Sequence, residues 1–175
     1  EKKLIYTNAN LKYVALLGLG KEEKFGLNKI VDNIAALSKK LRSYDIKSFT
    51  VYLGSFKNRN YDSMVYLEKI IQSIMLSLYQ FTEFKTKDLD KIKEIGKVRI
   101  IVGKSSINEA NKVAEEAVIF AETVIKTRDL VNAPPNIANP IYVADYAKGV
   151  AKKNNLKCTI FDDKQIKKLG MECFM

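Results

Sequence analysis

Residues Thr127–Asn136 read T-R-D-L-V-N-A-P-P-N, at the end of a long amphipathic pattern that begins near Ile107. Two adjacent prolines cannot extend a helix, because each lacks an N–H donor and its ring clashes with the preceding turn. Pro134 also drives Ala133 out of the helical region. A helix of about 25 residues, nearly 40 Å long, is therefore expected from Ile107 to about Asn132, with a new element beyond it. Such a length exceeds what a simple crossover needs and suits a helix bridging two domains. Ser106-Ile107-Asn108-Glu109 has the order of a capping box. The helix's apolar face is expected along Val113, Ala117, Phe120, Val124 and Ile125, with Phe120 buried.

Upstream of that helix, strands and helices alternate. Lys12–Leu17 (K-Y-V-A-L-L) is a short apolar run closed by Gly18 and Gly20, the pattern of a buried strand. Between Leu27 and Leu41 the apolar residues fall on one helical stripe. Ser48–Leu53 (S-F-T-V-Y-L), ended by Gly54, reads as a second strand. Asp62 or Ser63 can cap a helix running to about Phe81. Thr82–Gly96 is charged and turn-like, and Val98–Val102 makes a third strand. These three strands are expected to share one sheet flanked by the helices at 27–41 and 63–81.

Downstream, Asn139 caps a helix whose first turn holds Pro140, ending near Asn154-Asn155. Leu156–Phe161 (L-K-C-T-I-F) reads as a fourth strand. Asp162 or Asp163 caps a short helix through Leu169, and Gly170 suits its C′ position. This alternation predicts an α/β layer fold with a largely parallel sheet.

The composition is that of an ordinary globular chain: 175 residues, 47% hydrophobic and 29% charged. No apolar run approaches the roughly 18–20 residues needed to span a bilayer, and Glu1–Tyr6 lacks the h-region of a signal peptide. The absence of an initiator Met and the abrupt end point to part of a longer chain. Cys158 and Cys173 form no CxxC pattern and suit a reducing cytosol. With no histidine, Ser-His-Asp and Cys-His catalysis and His-containing zinc sites are excluded within the chain. The net charge of +10 is uneven: residues 1–60 carry 12 basic and 5 acidic groups. A basic end can attract nucleic acid, although lysine far outnumbers arginine, as on an ordinary solvated surface.

The motifs with chemical potential all have plainer readings. Gly18-Leu19-Gly20-Lys21 follows a strand but is neither GxGxxG nor a P-loop, and Glu22 and Glu23 would repel a phosphate; a strand-ending turn suffices. The pairs Glu115-Glu116 and Asp162-Asp163 do not converge on one metal, since helix neighbours diverge by about 100°. Arg128-Asp129 reads as a device fixing the approach into the next domain, and Asn136 and Asn139 can bond neighbouring backbone.

R-D-L-V-N-A-P-P-N, then Asn139-Pro140, a helix, a strand and K-K-L-G-M ending at Met171, taken with Tyr79–Lys85 (Y-Q-F-T-E-F-K), resembles the leucyl (cytosol) aminopeptidases. The resemblance implies a three-layer, macro-like N-terminal α/β domain over 1–106, its start missing. It further implies a long linker helix over 107–132 and the first α-β-α unit of a catalytic peptidase domain over 133–175. It implies hydrolysis of N-terminal amino acids from peptides by two divalent metal ions, zinc or manganese, in a cytoplasmic homohexamer. The family's metal ligands and catalytic residues have no match within 1–175, so no catalytic, cofactor-binding or metal residue is assigned and the chain alone is expected to be inactive. The competing readings are a non-catalytic α/β binding module, contacting nucleic acid through the basic N-terminal third, and a purely structural or assembly role.

Overall fold

The structure, a computed structural model, describes residues 2–6, 13–21, 26–56 and 61–174. The chain divides into two compact units, Glu1–Thr127 and Arg128–Met175.

The first unit opens with β1 (Lys2–Tyr6) and β2 (Tyr13–Leu17), paired antiparallel from Lys2↔Leu17 to Tyr6↔Tyr13. Helix α1 (Leu27–Ser43) follows, then β3 (Ser48–Tyr52), α2 (Ser63–Leu78) and β4 (Lys97–Ile101). β3 and β4 pair in parallel, in register from Ser48↔Lys97 to Tyr52↔Ile101. The mixed α/β class holds, but one expectation about the sheet does not. β2 pairs with β1 and not with β3 or β4, so the three anticipated strands lie in two separate two-stranded sheets. β1 had no counterpart in the sequence expectations; the T-N-A-N of residues 7–10, between two apolar stretches, is the hairpin signal that could have announced it. Lys12, the expected start of β2, lies outside the described residues.

The two sets of side chains on the β3–β4 pair differ in exposure. Val51 is buried and Phe49, Val98 and Ile100 are half-buried, whereas Ser48, Thr50, Tyr52, Lys97, Arg99 and Ile101 are all exposed. Alternate residues of a strand face opposite sides, so among the described residues this sheet has one covered face and one open face.

The core gathers on α2, whose Tyr66, Leu67, Ile70 and Ile74 are almost wholly buried. They cluster with Ile30 and Ile34 of α1, Leu53 and Phe56 of the turn after β3, and Ala110 and Ala117 farther along. A helix apolar on most sides must sit between neighbours. Arg42 ties α1 to the end of α2 by donating from its guanidinium to Leu78 O at 3.0 Å. The Asp62 carboxylate caps α2, accepting from Met64 N–H at 2.7 Å. Removing that acceptor orphans an N–H at the start of the core helix, so Asp62→Ala should lower stability by about 1 kcal/mol, read as a shift in urea midpoint. An unchanged midpoint would show that water replaces the cap at no cost.

Helix α3 runs unbroken over Ile107–Asn132, the span that the double proline dictates. Its start differs from expectation. Ser106 ends a single 3₁₀ turn, its N–H bonded to Gly103 O at 3.1 Å, so it lacks the extended backbone of an N-cap and the capping box does not form. The buried stripe differs too: Ala110, Ala117 and Ala121 are buried, Val113, Val124 and Ile125 are half-buried, and Phe120 is 54% exposed. Phe120 sits about 100° around the helix from Ala121, at the margin of a stripe centred on alanines.

In the second unit α4 (Pro140–Lys153) is capped by the Asn139 side chain, which accepts from Tyr142 N–H at 3.0 Å. Helix α5 (Asp163–Lys168) opens on a complete Asp162–Gln165 capping box. It closes through Gly170 at φ 67°, where Gly170 N–H bonds Lys167 O at 3.1 Å and Met171 N–H bonds Ile166 O at 3.2 Å. That is a Schellman ending, and the left-handed φ is what glycine supplies without strain. The anticipated strand at Leu156–Phe161 is absent. No described segment pairs with it, and Leu156, Ile160 and Phe161 are exposed; a strand exists only by pairing.

Candidate functional site

The positions that the sequence singles out stay apart in the structure. Gly20 takes φ 86°, a conformation that suits glycine, and Gly18–Lys21 follows β2 without regular secondary structure. Glu22 and Glu23 lie outside the described residues. Glu115 and Glu116 are exposed on α3, while Asp162 and Asp163 are used in starting α5. Arg128 and Asp129 are half-buried in the last turns of α3, and Ala133 N–H bonds Asp129 O at 3.0 Å before Pro134 ends the ladder. Pro134 O then accepts from Ile137 N–H at 2.9 Å and Ala138 N–H at 2.8 Å, a tight turn leading to the Asn139 cap. Asn139 therefore bonds the helix start, not the loop. Cys158 and Cys173 are free and exposed. Among the described residues no group of three or more His, Cys, Asp or Glu side chains could hold a metal ion, and no helix is long and apolar enough to cross a membrane.

Among the described residues, the first unit contains a groove large enough to hold a small ligand. The groove, of about 370 Å³, lies between α2, β4 and the first half of α3. Leu67, Ile71 and Ile74 form one wall, Val98 and Ile100 the floor, and Ala110 and Ala114 the other wall; Asn111 is the sole polar side chain in its lining. The short alanines explain the gap, since they hold α3 near the sheet without filling the space beside it. Nothing in the lining titrates, so the groove offers apolar contact and no acid–base chemistry. Two groups with shifted titration lie on α2 instead. Glu68 is held below the usual carboxylate range by the Lys69 ammonium at 2.9 Å, burial opposing and the Gln72 amide assisting. Burial pushes the Tyr66 phenol up, with nearby Tyr61 adding to it. Both are properties of a packed helix surface and form no reactive pair.

A mixed α/β unit, a continuous helix and a second unit without convergent catalytic groups define a chain whose class rests on its order of parts, and comparison with known proteins identifies that order. The model of the cytosol aminopeptidase family's N-terminal domain matches residues 2–88, and that of the same family's catalytic domain matches residues 125–175. The chain belongs to the cytosol aminopeptidase family. A probable cytosol aminopeptidase of Sulfurihydrogenibium is 37% identical over 93% of this chain and 32% of its own length. The cytosol aminopeptidase of Pseudomonas aeruginosa is 27% identical over 96% of this chain and 34% of its own. The chain thus spans about a third of the length of these relatives. Among solved structures, a mutant of tomato leucine aminopeptidase superposes with a TM-score of 0.80 at 22% identity, over 97% of this chain and 33% of that one. The bottromycin maturation enzyme BotP, in complex with Mn, gives 0.80 at 17% identity, over 97% and 34%. Identities this low speak for the fold alone.

Proposed function

We propose that this chain serves as the N-terminal third of a leucyl aminopeptidase, a cytoplasmic enzyme that removes N-terminal amino acids from peptides. The observation that carries the reading is the tandem match, N-terminal domain over 2–88 and catalytic domain over 125–175, with α3 spanning the interval. In this reading α3 links the two domains, and the first unit lies at the periphery of a homohexamer.

The reading implies two divalent ions, zinc or manganese, which would supply Lewis acidity and a hydroxide nucleophile. The residues here do not fit them. Among the described residues no group of three or more His, Cys, Asp or Glu side chains could hold a metal ion, and the pairs Glu115-Glu116 and Asp162-Asp163 are exposed helix neighbours or a helix start. No step of the hydrolysis is therefore assigned to a residue of this chain.

The test is turnover of leucine p-nitroanilide in the presence of Mn²⁺ or Zn²⁺. The 175-residue chain should give none above blank, and a protein extending it through the rest of the family's catalytic domain should give activity that a chelator abolishes. Activity of the 175-residue chain that survives repurification would refute the assignment of an inactive segment. A folded, metal-loaded extended protein inert toward leucyl substrates would refute the aminopeptidase reading itself.

A further inference from the structure

We draw no further inference here: the strongest candidate, the apolar groove between α2, β4 and the first half of α3, has no charged or titrating side chain in its lining to select a ligand, and nothing in the structure shows what covers it.

Discussion

Replacing Ile70 with alanine should destabilise the first unit by about 3–4 kcal/mol. Ile70 is fully buried at the middle of α2, where the helix packs on α1 on one side and lines the groove with β4 and α3 on another. The change removes three carbons, about 2.4 kcal/mol of transfer free energy at 0.8 per methylene. The remainder comes from the cavity, because neighbours on rigid helices collapse only partly. Urea unfolding should show a lower midpoint at nearly constant slope. A loss under about 1 kcal/mol would mean that α2 does not carry the core. The same substitution at Ile119, 65% exposed on α3, should sit within about 0.5 kcal/mol of the parent.

How far these features could be read from the sequence depended on whether their cause is local. Pro134, Pro135, Asn139, Pro140, Asp162 and Gly170 act within a turn of themselves, and each helix end they dictate is found where the sequence places it. The α1 and α2 stripes are periodic over four turns and were equally plain. Pairing between strands is not local. The run Y-V-A-L-L is as compatible with a hairpin to β1 as with a seat beside β3, and only a partner's position decides between them. Leu156–Phe161 shows the same limit from the other side, a strand-like composition with no described partner to pair with. Tyr52 and Gly54 were read merely as a strand and its terminator. What no spacing in the sequence announces is the 3₁₀ turn at Leu53–Phe56 that follows directly on β3. The groove was likewise invisible, because it arises from the shortness of alanines facing α2 and not from any residue that could be searched for.

The alanine stripe of α3 supplies the second large effect. Ala117 is 1% exposed and belongs to the core cluster, whereas Phe120, three residues on, is 54% exposed. Hydrophobicity by residue type ranks these two the wrong way round; burial ranks them by what they touch. Ala117→Asp places a carboxylate where water cannot follow, and burial of that kind raises a carboxyl pKa by about 3 units, equivalent to about 4 kcal/mol at neutral pH. The sign follows from linkage. With the folded pKa raised above the unfolded value of about 3.9, the penalty is complete above about pH 7 and fades as pH falls toward 4, where the acid is neutral in both states. Ala117→Asp should therefore be strongly destabilised at pH 7.5 and recover much of the loss at pH 4.5 relative to the parent at the same pH, while Ala117→Asn should show no such recovery. Phe120→Ala should melt within about 0.5 kcal/mol of the parent at either pH. If Phe120→Ala proves the more damaging change, α3 is docked by the other face. The groove, whose far wall is Ala110 and Ala114, would then have no place in the fold.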